Sequence, residues 1–357
     1  MEAYRSTLKL SGAADLVTAA AGPILVVTHA KPDGDAFGSV IALTATLKAL
    51  GQPVTACFVP PVPASLLDLH GSNLAELFDD QIVFPEPALQ VVLDTGAWTQ
   101  IGPLRPILEP YLDRTLIIDH HLSGDVAACH RWIEPQAAAC SELVAQLVDR
   151  LLPSGVVPNG NMHGTEERSA RWLPVIHESL FVGIASDTGW FRFSNTRAQT
   201  HELASRLLHA GIDHAAIFRK LEQAERPEKL ALLTHALNSL ELVAKGRAAI
   251  IELRLADFEQ TGALEQETER LIDVPQQVGV IRVIALISER TNGFNRGEGI
   301  QTRVSFRSKS GPDAVNVAEI AQQFGGGGHA RAAGATINEP IDQVRKRVTH
   351  VLTNAVS

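Results

Sequence analysis

The sequence predicts an α/β protein: a domain built on a parallel sheet, a helical connector, and a smaller mixed α/β domain. Three observations carry this. The chain has 357 residues, more than one hydrophobic core usually organises. Its first half alternates short β-branched or leucine-rich runs with helical patterns, the signature of βαβ units. From Thr196 to about Lys245 the pattern is helical, and beyond it strand-like runs return. The expected boundaries are therefore 1–195, 196–245 and 246–357.

The candidate strands of the first domain are ILVV from Ile24, VTACFV from Val54, QVVLD from Gln90, TLIID from Thr115 and LFVGIASD from Leu180. Their near-continuous hydrophobicity suits strands covered on both faces. Phe37, Val40, Ile41, Thr44 and Leu47 share one face of a helix from Ala36 to Leu50, with Gly51 as its C-terminal cap. A second helix is expected from about Ser141 to Leu152. The stretch 153–171, rich in Gly, Pro and polar residues, reads as a surface loop in which His163 is solvated. In the connector, His201, His209, His214 and His235 read as surface or packing residues. The last domain offers AAIIELRL, GVIRVIALISE and IQTRVSFRSK as strands and a final helix from about Ile341.

Composition excludes several classes. With 45% hydrophobic and 20% charged residues, the chain is neither disordered nor membrane-embedded. A net charge of −9 argues against coating long nucleic acid, which needs many cationic phosphate contacts, and leaves short or single-nucleotide phosphates as ligands. Cys57, Cys129 and Cys140 show neither CxxC nor zinc-site spacing and read as reduced thiols. No secretory leader and no span of about 18 apolar residues is apparent, so a cytoplasmic protein is expected.

The chemistry lies at the ends of the strands: ILVVTHAKPDGD, VVLDTG, LIIDHH and VGIASDTG each run from apolar residues into aspartate. In an open parallel sheet the carboxyl ends of the strands share one edge, where ligands bind at the topological switch point. Asp33, Asp35, Asp94, Asp119 and Asp187 would converge there, joined by His29, His120 and His121. Clustered carboxylates repel and are costly to bury, so they need protons or cations, and no comparable group of lysines or arginines joins them. Metal ions are the economical answer. Carboxylate oxygens with some imidazole and no thiolate fit Mn²⁺, with Mg²⁺ or Co²⁺ as substitutes. So many carboxylates suit two divalent metal ions, with Asp94, from a middle strand, as the bridge. Taken singly, DGD could be a helix cap and the Asp-Thr-Gly triplets strand-exit turns, but turns do not explain the histidines.

HAKPDGDAFGS, VVLDTG, DHH at 119–121 and GIASDTG resemble the ordered motifs of the DHH phosphoesterase superfamily. SFRSK followed by FGGGGHARAAG resembles that superfamily's associated C-terminal domain with its GGGH signature. Together these span about Ile24 to Thr336. The resemblance implies one ion held by His29, Asp33 and Asp94 and a second by Asp35, Asp94, His120 and Asp187. It also implies that His121 faces the substrate phosphate, unless it orients its neighbour, and that Asp119 supports the site without binding metal. The superfamily often carries Asn soon after DHH, where this chain has Gly124.

The C-terminal glycines have a physical reading of their own. Gly326, Gly327 and Gly328 before His329 let backbone N–H groups approach an anion, and a helix beginning near Ala330 would add its positive end. Residues 281–310 hold Arg282, Arg290, Arg296, Arg303, Arg307 and Lys309 against Glu289 and Glu298. Arg307 and Lys309 share a strand face, and Arg307 is expected to grip a substrate phosphate or stack on a base.

Length and the GGGGH motif make the chain most similar to the bacterial nanoRNase and pAp phosphatase subfamily. That resemblance implies hydrolysis of short oligoribonucleotides to mononucleotides and of 3'-phosphoadenosine 5'-phosphate (pAp) to AMP, across a cleft between catalytic and substrate-holding domains. A cyclic or linear dinucleotide phosphodiesterase is the nearest alternative. A catalytically silent nucleotide-binding regulator is another, against which the full set of expected ligands argues. A RecJ-type exonuclease would carry additional domains, and a family II pyrophosphatase would lack the glycine-histidine motif. A homodimer is expected on base rate.

Overall fold

A computed structural model describes residues 4–152, 170–291 and 300–356. Most of the 153–171 segment, with His163, and residues 292–299, with Arg296, lie outside the described residues. The chain divides into two compact units, 1–224 and 225–357. The break falls inside the helical stretch, so the helices on either side of it belong to different units.

In the first unit, β1 (Ile24–Val27), β2 (Val54–Phe58), β3 (Glu76–Leu77), β4 (Leu89–Leu93), β5 (Thr115–Asp119) and β6 (His130–Ile133) form one sheet among the described residues. Its order is β3-β2-β1-β4-β5-β6, and every pairing is parallel. The order reverses direction between β1 and β4, which makes the carboxyl ends of those two strands the switch point. Both faces are covered, as the continuous apolar runs require. Val91 and Leu93 pack with Phe37, Ile41 and Leu147 on one side, while Val92 packs with Ile101, Leu104 and Ile117 on the other.

The covering helices are α1 (Leu10–Ala19), α2 (Gly34–Ala49), α3 (Cys140–Leu151), α4 (Leu173–Asp187), α5 (Ala198–His209) and α6 (His214–Glu222). Here one expectation fails: LFVGIASD is not a strand but the second half of α4. An apolar run does not distinguish a buried strand from a helix buried all round. The discriminating signals were its true length, 15 residues, and Pro174 in the first turn. Helix α4 lies against α2 at glycines, and a methyl group at Gly38 would stand 2.3 Å from the Ser179 carbonyl oxygen. Gly183 therefore serves helix-to-helix approach.

The second unit is a mixed sheet of order β11-β12-β10-β9-β8-β7 among the described residues. Its strands are β7 (Glu241–Val243), β8 (Ala248–Leu253), β9 (Val283–Thr291), β10 (Ile300–Ser308), β11 (Gly327–His329) and β12 (Ala332–Ile337). Its helices include α7 (Pro227–Asn238), α8 (Val317–Gln322) and α9 (Ile341–Ala355). Val304 and Phe306 pack beneath α8 and α9. On the opposite face Ile284 and Leu286 pack with Leu232 of α7 and Phe258. The helix expected near Ala330 does not form: the chain turns there from β11 into β12, pairing antiparallel.

Candidate metal centre

Each site residue owes its position to the end of an element. Past β1, Thr28 Oγ1 donates to the Leu93 carbonyl at 2.8 Å, tying β1 to β4 just where His29 and Asp94 emerge. Asp33 then caps α2, accepting from the backbone N–H of Asp35 at 3.1 Å and of Ala36 at 3.0 Å. The helix starts at Gly34, two residues before the expected Ala36. The two carboxylates of DGD diverge because one is the cap and the other lies in the first turn. Asp94 leaves β4 with φ of 61°, a left-handed conformation that Asp and Asn tolerate best. Asp119 is the last residue of β5 and Asp187 the last of α4, so Asp187 arrives from a helix end and not from a strand.

These ends converge. His29 Nε2 lies 3.7 Å from Asp94 Oδ2 and 3.9 Å from Asp33 Oδ1. His120 Nε2 lies 3.3 Å from Asp94 Oδ1, 3.7 Å from Asp187 Oδ2 and 3.9 Å from Asp35 Oδ2. His29, Asp33 and Asp94 thus make one group able to hold a cation, and Asp35, His120 and Asp187 another. One Asp94 oxygen faces each. His121 forms a third such group with Asp94 and His120, its Nδ1 3.8 Å from Asp94 Oδ1 and 2.7 Å from Asp119 Oδ1.

The donors suit cations. Asp94 Oδ1 is buried without a hydrogen-bond partner, an expensive state for a carboxylate oxygen unless a cation meets it. His29 Nδ1 is 3.0 Å from the Ala30 carbonyl and His120 Nδ1 3.3 Å from that of Ala137. Those contacts fix the tautomer that leaves Nε2 free as a ligand. Burial, then the charges of Asp94 and Asp187, push the Asp35 carboxyl up, against the pull of His120. Asp187 is pushed up to about 6, by burial first, then by Asp94 and Asp33 against His120. At Asp94, burial is outweighed by the nearby imidazoles of His120 and His29, which hold its carboxyl low. Burial opposes charge on His120, yet the close approach of Asp94 and the charges of Asp35, Asp94 and Asp187 raise it to about 10. Without metal, protons supply part of the positive charge that the cluster demands.

Several supporting groups escape sequence reading. The N-terminus of α3 holds Asp35: Cys140 N–H donates to Oδ2 at 2.5 Å and Ser141 N–H to Oδ1 at 2.9 Å, a helix end gripping an anion. Asn195 Nδ2 donates to the carbonyls of Ala138 and Asp187. Tyr4, 115 residues from its partner, donates its hydroxyl to Asp119 Oδ2 at 2.5 Å. Its ring explains the departure at Gly124, where a methyl group would stand 2.5 Å from Tyr4 Cε2. Only the short spacing from Asp187 to Asn195 offered a local hint of any of these.

In the second unit, Arg307 on β10 donates from Nη1 to the Phe306 carbonyl at 3.2 Å. Lys309 Nζ is turned to the Val278 carbonyl. Gly327 and Gly328 are exposed in β11, with His329 as its last residue. Gly326 is required for packing, since a methyl group there would lie 2.1 Å from the Gly334 carbonyl oxygen.

Comparison with known proteins places this geometry. Residues 23–175 match the model of the DHH family, N-terminal domain, and residues 259–354 that of the DHHA1 domain. The chain is 32% identical over 341 residues to the bifunctional oligoribonuclease and PAP phosphatase NrnA of Thermus thermophilus, covering 95% of this chain and 92% of that protein. It is 29% identical to the probable bifunctional oligoribonuclease and PAP phosphatase NrnA of Streptococcus mutans, covering 91% and 94%. Among solved structures, an exopolyphosphatase-related protein from Bacteroides fragilis superposes with a TM-score of 0.83 at 22% identity, covering 97% of both chains, a likeness of fold.

Proposed function

Since the chain belongs to the DHH family of phosphoesterases and carries a DHHA1 domain, we propose that it hydrolyses short oligoribonucleotides to mononucleotides and pAp to AMP. The observation that carries this reading is the pair of Asp/His groups on either side of Asp94, one of whose oxygens lies near His29 and the other near His120, with Oδ1 buried and lacking a hydrogen-bond partner. The names of relatives aligned over nearly the whole chain support the substrate class.

In this reading His29, Asp33 and Asp94 hold one divalent ion, and Asp35, Asp94, His120 and Asp187 hold the other. Mn²⁺ suits these hard oxygen and imidazole donors, with Mg²⁺ or Co²⁺ as substitutes. When bound, such a pair supplies the positive charge and the activated water that in-line attack on phosphorus needs. The residues do the rest. Asp119, fully buried, accepts from the backbone N–H of His120 and His121 and holds His121 Nδ1. His121 is thereby fixed with Nε2 as its free nitrogen. The hydrogen bond to Asp119 raises the His121 imidazole above its ordinary value against burial, and in this reading the ring faces a phosphoryl oxygen. Arg307, Gly326, Gly327, Gly328 and His329 hold the nucleotide.

The three cysteines are free, which supports a cytoplasmic setting, and a two-fold homodimer is the base-rate assembly. No helix among the described residues is long and apolar enough to cross a membrane.

The test is kcat/KM of the purified Mn²⁺-loaded protein on pApA, pAp and a cyclic dinucleotide. We expect turnover of pApA and pAp and little of the cyclic compound. A preference for the cyclic substrate would make it a cyclic-dinucleotide phosphodiesterase, and inactivity on all of them a nucleotide-binding regulator.

A further inference from the structure

Outside the residues used so far, the second unit's sheet carries an unexplained pair of like charges. Arg290 on β9 lies opposite Gln301, and Arg303 on β10 lies opposite Ser288. The four side chains share one face, with the two arginines diagonal neighbours across adjacent strands. Like charges so placed repel. Burial first, then the charge of Arg303, pulls the Arg290 guanidinium down from its ordinary value, against Glu265. The Glu265 carboxylate stands 3.7 Å from Arg290 Nη1, one distant anion for two guanidiniums among the described residues. Arg290 Nε is buried without a hydrogen-bond partner. Arg303 is exposed and has no ion pair among the described residues.

The same face continues toward the residues that hold the nucleotide in the reading above. Counting by twos along β10, Arg303 is followed by Ser305 and Arg307. Their partners on β12 are Thr336, Gly334 and Ala332, all small, while on β9 Ser288, Leu286 and Ile284 lie opposite them, so the small residues line only the β12 side of the row. Arg303 and Arg307 lie four residues apart, about 14 Å at strand rise, farther than the two phosphates of one nucleoside bisphosphate can reach. A polyanion laid along β10 can meet both.

We propose that Arg290 and Arg303 form a second phosphate-binding position, which takes a phosphodiester of an oligoribonucleotide of three or more residues while Arg307 holds the nucleotide nearer the glycine strand. This rests on the proposed function and adds a determinant of substrate length to it. The pair accepts a repulsion that a bound phosphate relieves, and planar guanidiniums are the groups best shaped to meet its oxygens.

The experiment compares hydrolysis of pAp and of a 5'-phosphorylated pentaribonucleotide by the Mn²⁺-loaded full chain, wild type against Arg303→Ala, at two salt concentrations. Arg303 is exposed, so the variant is expected to fold, and unchanged pAp turnover reports that it has. We expect kcat/KM on the pentanucleotide to fall about tenfold, carried by KM, with a log–log salt slope shallower by about 0.7 and pAp turnover unchanged. Equal losses on both substrates, or none on either, would overturn the inference alone. Wild-type protein inactive on both substrates would overturn the reading beneath it as well.

Discussion

In the first unit charge gathers at the ends of elements, and in the second it runs along the face of one strand. Asp94 is 3% exposed and Asp119 fully buried, and each oxygen of Asp119 has its own donors. Arg303 and Arg307 stand out from β10 with few partners. The difference separates two kinds of work. Buried, convergent carboxylates act as a unit, so loss of one member should remove chemistry outright. Cations spaced along a strand act one phosphate at a time, so each loss should be graded and legible in KM and in salt dependence.

The largest effect that tests this contrast is expected from Asp94→Asn. The substitution preserves shape and tolerates the positive φ but removes the charge that both ligand groups share. Hydrolysis of pApA should fall below detection while the protein remains folded by circular dichroism. Affinity for a labelled pApA should persist, since most of it is expected to come from the second unit. Hydrolysis and affinity lost together would mean that the two kinds of work are not separate.

A smaller effect is expected at the crossing of α2 and α4, the contact that brings Asp187 to Asp35. Gly38→Ala places a methyl group against backbone, which cannot turn aside as a side chain can. Overpacking of this kind costs about 1–3 kcal/mol, and it should lower kcat as Asp187 shifts. Hydrogen exchange should show faster opening confined to residues 1–224, with protection in 225–357 unchanged. Loosening of both units would show that they unfold as one.

How much of this was legible depended on the range of the signal. Asp33, Asp35, Asp94 and the DHH triplet could be read because strand ends in a parallel sheet share an edge whatever the details of packing. Asp187 was legible as a site residue but not as the end of a helix, since LPVIHESLFVGIASD is buried on nearly every side and its apolar run LFVGIA shows no helical period. The glycines at 325–328 read as an anion cradle before a helix and not as a strand, because glycine weakens any strand pattern, yet Gly326 is there so that the chain can lie against the Gly334 carbonyl. Gly124 read only as a departure from the family. Its reason, the ring of Tyr4, lies at the far end of the sequence.

Tyr4 supplies the smallest effect and the finest test. Its hydroxyl meets Asp119 Oδ2, while Oδ1 takes the His121 ring and two backbone N–H groups. Burial first, then the charge of Asp119 and the bond to it, push the Tyr4 hydroxyl well above the ordinary tyrosine range, so it remains a donor throughout working pH. Tyr4→Phe keeps the ring against Gly124 and leaves a buried carboxylate oxygen with no donor, at a cost of about 1–3 kcal/mol in stability. The carboxylate can then turn, and the His121 ring with it. Loss of such supporting bonds around metal sites typically costs about 10–100-fold; with His121 one step further from the ions, about tenfold in kcat is expected, with KM for pAp unchanged. A rise in KM with kcat intact would assign Tyr4 to substrate binding and blur the division between the units. A fall in kcat alone would extend the catalytic edge back to the fourth residue of the chain.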